Sequence, residues 1–352
     1  MFKILVINPG STSTKFAIFH DQKIVFQQTL RHSGDDLKPF PTVASQYEFR
    51  KEVLLACLNE NHILLDFDII VGRGGILKPL TSGIYAVTEA MKADLLSAKY
   101  GEHACNLGGL IASDVAKSVG CQAIIADPVV VDEMEDVARL SGHPLFPRIS
   151  IFHALNQKAT ARIYAKEKNT NYEDLNLIVA HLGGGISVGA HRKGKVIDTN
   201  NALAYGPFSP ERSGTISSSE LATVCFSGKY SPEEIKKMLN GEGGLMAHLG
   251  TNEAHVAVEQ AKNGDKKAQL VLDALSYNVA KEIGSMATVL HGEVDAIILT
   301  GGIAYNSCIT DYISQMVQFI APVSVYPGED ELWALANNGI HALQNGVILD
   351  YK

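Results

Sequence analysis

The chain carries two short polar turns whose residue types suit a bound polyphosphate. The first is Asn8-Pro-Gly10-Ser11-Thr12-Ser13-Thr14-Lys15, which lies between the apolar segments Ile4–Ile7 and Phe16–Phe19. Gly10 lets the backbone come close to a ligand, Ser11 and Ser13 add hydroxyl donors, and Lys15 adds positive charge. Backbone N–H groups in tight turns form anion-binding nests. Asn8, at a strand end, offers a neutral oxygen for a Mg²⁺-bound water. The second turn is His181-Leu-Gly183-Gly184-Gly185-Ile-Ser187. Three consecutive glycines weaken a hairpin entropically, so close approach of backbone to a ligand explains them better than a turn alone. The first turn by itself reads equally as a polar hairpin without a ligand; its partner around Gly183–Ser187 shifts the reading to phosphate binding. Gly301-Gly302-Ile303, followed by Tyr305, is less specific and fits a tight strand-to-helix turn as well as a nucleotide contact.

Charged groups at loop positions extend the set. Arg73 lies in a glycine-flanked turn after Ile69–Val71, and Arg212 lies in Pro210-Glu-Arg-Ser-Gly214. A guanidinium in such a loop grips a carboxylate or phosphoryl group bidentately, although a surface ion pair with Glu211 competes at Arg212. Asp127 leaves an apolar strand just before Pro128. Metal positioning, nucleophile orientation and an Asx-type cap all fit it. His103, His153 and His181 lie near these elements, but an isolated histidine reads more readily as structural. No His-x-x-x-His or paired-Cys spacing occurs, which argues against a transition-metal site.

The elements that must position these residues are duplicated. Strand, small-residue turn, strand, turn, strand is the pattern of both Phe2–Gln28 and Leu177–Asp198. Asp68–Ile76 echoes Asp295–Ile303, and Gln122–Asp127 and Val323–Pro327 fill the same edge slot in the two halves. The periodicity predicts helices over Tyr47–Asn61, Glu89–Lys99, Leu107–Val119, Phe152–Lys168, Lys266–His291 and Leu332–Gln344, the Phe152–Lys168 helix bridging two lobes. Ser231-Pro-Glu-Glu234 has the chemistry of a helix-opening capping box. Strand triplets alternating with helices imply an α/β protein with mixed sheets.

Length and composition agree. At 352 residues the chain is long enough for two domains, and 46% hydrophobic with 19% charged residues is a globular balance. A net charge of −8 gives no basic footprint for nucleic acid. Five widely spaced cysteines read as reduced thiols. With no signal-like start and no membrane-length apolar run, the expectation is a soluble cytoplasmic protein.

Ile4–Phe16, Ala180–Ser187, Glu211–Gly214, Leu299–Asn306 and Tyr326–Leu332 resemble, in order and across the whole chain, the acetate/butyrate kinase family. The resemblance implies the actin/sugar kinase/Hsp70 superfamily fold: two RNase H-like domains with mixed β-sheets and a central interdomain cleft. The expected lobes are residues 1–151 with 328–352, and residues 152–327. It further implies Mg²⁺-dependent, reversible phosphoryl transfer from ATP to a short-chain fatty acid, butyrate preferred, giving ADP and an acyl phosphate. Acetate, propionate or a branched-chain acid is the alternative within the family. A sugar kinase or an ATP-gated binding protein is the more remote one. A homo-oligomer, dimer or higher, is expected, without nucleic-acid or membrane partners.

Residue by residue, Asn8 resembles the family's magnesium-side asparagine, and Asp330 or Glu331 its metal-side acid. Lys15, with Ser11 and Ser13, looks like the first phosphate loop. His181, Gly183, Gly184 and Gly185 resemble the second, and Gly301, Gly302, Ile303 and Tyr305 the adenosine-side loop. Arg73 and Arg212 are similar to the arginine pair that holds the carboxylate and the transferring phosphoryl group. Asp127 resembles the essential aspartate, His153 the histidine at the transition state, and His103 a second histidine near the acyl phosphate. The chain departs from acetate kinases at Ala304-Tyr305-Asn306 and at Gly74-Gly75, where small volume beside Arg73 is expected to admit a longer acyl tail.

Overall fold

A computed structural model describes all 352 residues, which form two compact units, Met1–Val131 with Asp330–Lys352, and Asp132–Glu329. The division falls at Val131 rather than residue 151 because the intervening segment is tied to the second unit. Glu135 N–H donates to Ile197 O at 3.0 Å, Arg148 pairs with Asp198 at 2.7 Å, and Glu133 pairs with Lys158 at 2.8 Å.

The first unit is built on a mixed sheet of β1 (Lys3–Gly10), β2 (Ser13–His20), β3 (Lys23–Arg31), β4 (Ile69–Arg73), β5 (Ile84–Ala86) and β6 (Gln122–Ala126), in the order β3-β2-β1-β4-β6-β5. β1 pairs antiparallel with β2 and parallel with β4, which in turn runs parallel to β6. Ile4 to Ile7 and Ile69 to Val71 are buried because helices cover both faces of the central strands. The Asn106–Val119 helix contributes Leu107, Leu110 and Ile111 to one core. The Glu331–Asn345 helix packs on β1 and β4, where Gly339 comes so close that a Cβ would lie 3.0 Å from Val71. β5, which the sequence reading did not anticipate, pairs antiparallel with β6, so β6 is not an edge.

The second unit repeats the plan. Its strands are β7 (Asn176–Leu182), β8 (Ile186–Arg192), β9 (Lys195–Thr199), β10 (Ala296–Gly301) and β11 (Val323–Pro327), in the order β11-β10-β7-β8-β9. Aligned with the first sheet, β7 takes the place of β1, β10 of β4 and β11 of β6. The Lys266–Val289 helix, capped by Asp265, lays Leu275, Val279 and Ile283 on one face. The Ala154–Glu167 helix lays Ala161, Tyr164 and Ala165 against Leu177, Val179 and Ile298 on the other. That helix, expected as a bridge, therefore belongs to the core of the second unit. In each sheet the parallel strands end together, and in open α/β sheets the carboxyl ends are where ligands bind.

Candidate active site

In the first unit the ends of β1 and β4 and the start of the last helix bring three of the expected residues together. Arg73 forms an ion pair with Glu331 and donates to Asn8 Oδ1 at 3.4 Å, while Asn8 Nδ2 donates to Glu331 Oε2 at 2.7 Å. Helix capping separates the two neighbouring acids. Asp330 is the N-cap and accepts from Trp333 N–H at 2.9 Å, which leaves Glu331 on the first turn facing Asn8. Lys15 is the register partner of Asn8 across the β1–β2 hairpin and is exposed.

The hairpin turn is held from below by a residue the sequence reading missed. Arg50, fully buried on the Tyr47–Glu60 helix, donates to Gly10 O at 2.7 Å, Ser13 O at 3.0 Å and Ser11 O at 2.8 Å. Gln46 Oε1 accepts from Arg50 at 3.0 and 2.8 Å. An arginine in an amphipathic helix reads as solvated, and only the tertiary packing of that helix under the turn reveals its role.

His103 and Asp127 hold defined places. Nδ1 of His103 lies 3.0 Å from Cys105 Sγ and accepts the Cys105 N–H at 3.2 Å. Burial pushes the Cys105 thiol up to about 11; the charge of Arg73 opposes that shift, and that of Glu331 reinforces it. Asp127 is buried with φ of 38°, a left-handed backbone uncommon for a residue with a Cβ. Its Oδ1 accepts from Ser82 Oγ at 2.6 Å and Gly83 N–H at 3.0 Å. Backbone strain of this kind gathers at functional sites.

Gly74 and Gly75 do not open a pocket. A Cβ on Gly74 would lie 2.6 Å from Pro128 Cβ, and one on Gly75 would lie 2.6 Å from the Asn106 backbone. The missing side chains make room for the protein itself, so the expected link between these glycines and acyl length does not hold.

The second unit assembles its own cluster around the β7–β8 turn. His153 and His181 stack with ring centroids 3.8 Å apart, and His181 Nε2 lies 3.0 Å from Glu329 Oε1. Arg212 crosses the turn, donating to Ala202 O at 2.9 Å and Asn240 Oδ1 at 3.2 Å; burial pulls its pKa down, which the nearby Glu211 opposes. These contacts account for two of the three glycines. A Cβ on Gly185 would lie 1.9 Å from Arg212 Nη1, and one on Gly183 would lie 2.8 Å from His181 Nε2. Gly184 faces nothing nearer than Glu211 Oε1 at 3.8 Å, and its carbonyl accepts from Ser209 Oγ at 2.6 Å.

The remaining expected residues sit at the end of β10. Gly301 has φ of 93° and approaches Leu182 O, where a Cβ would lie 2.3 Å away. Gly302, by contrast, has nothing within 4 Å of an added Cβ. Ile303 is buried, and Tyr305 is exposed with its ring over Gly328. Gly301 and Gly328 exchange backbone hydrogen bonds of 3.2 and 3.0 Å that tie the ends of β10 and β11.

Asn8 and Glu331 present hard oxygen donors of the type Mg²⁺ takes alongside substrate phosphates and water. Their number suits an ion held partly by a nucleotide rather than by an all-protein cage.

The acetokinase family model matches residues 148–322. Butyrate kinase 2 of Clostridium acetobutylicum is 55% identical to this chain over 97% of each sequence. A probable butyrate kinase of Bacteroides thetaiotaomicron is 54% identical over 97% of each. Among solved structures, acetate kinase of Porphyromonas gingivalis superposes with a TM-score of 0.81 at 18% identity, covering 98% of this chain and 100% of that one. A propionate kinase of Francisella tularensis gives a TM-score of 0.76 at 22% identity, covering 96% and 99%. The fold is therefore that of the actin/sugar kinase/Hsp70 superfamily, and the chain belongs to the acetokinase family.

Proposed function

We propose that this protein is a short-chain fatty acid kinase that transfers the γ-phosphoryl group of ATP to the carboxylate of butyrate, reversibly, giving butyryl phosphate and ADP. The observation that carries the reading is the 55% identity to a butyrate kinase across 97% of the chain. The acceptor is ionised at neutral pH, so the reaction needs no base to create its nucleophile. The barrier is the approach of one anion to another, and the residues of both units are of the type that lowers it.

In this reading Arg73 grips the acceptor carboxylate and Arg212 the transferring group, while Lys15, Ser11 and Ser13 contact the phosphates. Main-chain groups of the Gly183–Gly185 turn hold the nucleotide's phosphates, and Gly301, Gly302, Ile303 and Tyr305 hold its adenosine. Asn8 and Glu331 hold Mg²⁺, which when bound neutralises phosphate charge. Asp330, already committed to its cap, keeps the helix start in place. Asp127, with Oδ1 engaged by Ser82 and Gly83, orients rather than abstracts a proton. His103 lies near the acyl phosphate, and His153 donates a hydrogen bond to the phosphoryl oxygens in flight. No helix is long and apolar enough to cross a membrane, and we place the enzyme in the cytoplasm as a homo-oligomer, which light scattering tests.

Trapping acyl phosphates with hydroxylamine, over straight-chain acids of two to six carbons and their branched isomers, tests the assignment. Hydroxamate formation is expected to have its highest kcat/KM with butyrate. The ratio to propionate is set by about 0.8 kcal/mol per buried methylene, roughly a factor of four. ADP release that is indifferent to the acid would overturn the assignment.

A further inference from the structure

Behind His153 runs a buried chain of polar side chains that the reaction scheme above leaves without a role. Ser187, Gly189 and His191 alternate on one face of β8, and Gln157, on the first turn of the Ala154–Glu167 helix, lies across them. Ser187, Gln157 and His191 are fully buried, and Tyr172 nearly so. Gly189 is the space that makes this possible. A Cβ there would lie 2.7 Å from Gln157 Oε1 and 3.2 Å from His191 Nε2.

The hydrogen bonds of this chain have only one consistent polarity. Ser187 O is a carbonyl and can only accept, so the Gln157 atom 3.1 Å away is the amide nitrogen. The same nitrogen gives its second hydrogen to Ser187 Oγ at 2.8 Å. Gln157 Oε1 then faces His191 Nε2 at 3.0 Å, and that nitrogen must carry a hydrogen. Burial, followed by the charges of Lys158 and Arg162, holds the His191 pKa well below its ordinary value, so the ring is neutral. Its Nδ1 is therefore a lone pair, filled by the Tyr172 hydroxyl at 2.7 Å.

At the other end, Ser187 Oγ already accepts from Gln157 and from the His153 backbone N–H at 3.3 Å. Its single hydrogen is left for His153 Nδ1, 2.8 Å away. We propose that Ser187, set by Gln157, His191 and Tyr172, is a positioning residue that fixes His153 as the neutral ring with its hydrogen on Nε2. The inference rests on the reading of His153 as the group that hydrogen-bonds the transferring phosphoryl. It adds the reason the ring presents a donor at Nε2 without reorganising. A hydrogen on Nδ1 would face a hydroxyl that has no lone pair left to take it.

The test reads the tautomer directly. In protein labelled with ¹⁵N-histidine, long-range ¹H–¹⁵N correlations report which ring nitrogen carries the hydrogen, and His153→Gln assigns the signals among the 12 histidines. Wild type is expected to show His153 protonated at Nε2. Ser187→Ala releases Nδ1 and mixes the two tautomers. Gln157→Glu keeps the shape but removes the amide donor, so Ser187 turns toward the new carboxylate and His153 shifts toward the Nδ1–H form. In both variants kcat for acyl phosphate formation is expected to fall about 10- to 100-fold, with the KM values for ATP and the acid changing much less. A wild-type His153 protonated at Nδ1, or a tautomer unmoved in both variants, overturns the proposal. A tautomer that shifts while kcat holds upholds the positioning role and removes His153 from the transfer step.

Discussion

The β1–β2 and β7–β8 hairpins occupy the same place in two sheets of the same strand order, yet they are held in opposite ways. Beneath the first lies one fully buried guanidinium, that of Arg50, whose donors end on the main-chain oxygens of Gly10, Ser11 and Ser13. The second is held by several smaller groups: buried Asn200 donates to Ile186 O at 3.0 Å, Gln157 to Ser187 O at 3.1 Å and Ser209 to Gly184 O at 2.6 Å, while Gly183 and Gly185 leave room for His181 and Arg212. Duplication supplied one scaffold twice. The main chain of the first turn is fixed by one buried side chain, and the glycines of the second leave room for side chains that the proposed mechanism uses. Damage to the first should therefore appear as lost stability, and damage to the second as lost turnover.

Arg50→Met breaks the first turn hardest. It leaves several carbonyls without donors, and the expected cost is about 3–4 kcal/mol. Urea unfolding should show a lower midpoint at unchanged slope; an unaltered midpoint would erase the distinction. Next comes Gly185→Ala. The new Cβ meets the far end of Arg212, which can swing away, so the fold survives while the guanidinium is displaced. A roughly 100-fold loss in kcat is expected with little change in unfolding free energy, since an ångström of misplacement costs about that much. Equal losses in both quantities would mean that the turn serves structure after all.

Two buried groups, one in each unit, act at opposite ends of the pH range. Cys105, in the first, has its thiol raised to about 11 by burial, above the ordinary value of 9.0. Its unfolded form ionises first as pH rises, so its stabilising contribution is intact below pH 9 and is lost between 9 and 11, about 2–3 kcal/mol in all. His191, in the second, is neutral where the unfolded ring would protonate, so its contribution is present above its ordinary value of 6.5 and fades as pH falls below it. Denaturation across pH with Cys105→Ala and His191→Gln should flatten the alkaline and the acid limb respectively, each variant leaving the other limb alone. The smallest effect belongs to Gly184→Ala. No protein atom lies within 3.8 Å of its added Cβ, so stability should move by less than about 0.5 kcal/mol. The KM for ATP should nonetheless rise several-fold, and an unchanged KM would take the turn's backbone out of phosphate binding.

Much of this was legible in the sequence because it is carried by local pattern. The strand–turn–strand repeat, the apolar runs of β1, β7 and β10 and the Ser231–Glu234 capping box all lie within a few residues of the features that mark them. The pairing of Asn8 with Glu331 was reachable only through resemblance, since 323 residues separate them. Arg50 escaped because an arginine on a helix looks solvated until the turn above it is in place. Gln157 and His191 escaped for a similar reason: nothing in their spacing links a helix to a strand 34 residues on. Gly74 and Gly75 misled because a missing side chain reads as empty space, whereas Pro128 and Asn106 fill it.

The central claim is direct transfer of a phosphoryl group from ATP to a carboxylate. A single-turnover quench with γ-³²P-labelled ATP and butyrate, resolved over time, follows that group. The label should pass from ATP to butyryl phosphate with no labelled protein in between, and His153→Gln should slow this passage without diverting it. Label released as inorganic phosphate at a rate independent of butyrate, or held on the protein before the acid acquires it, would contradict the account.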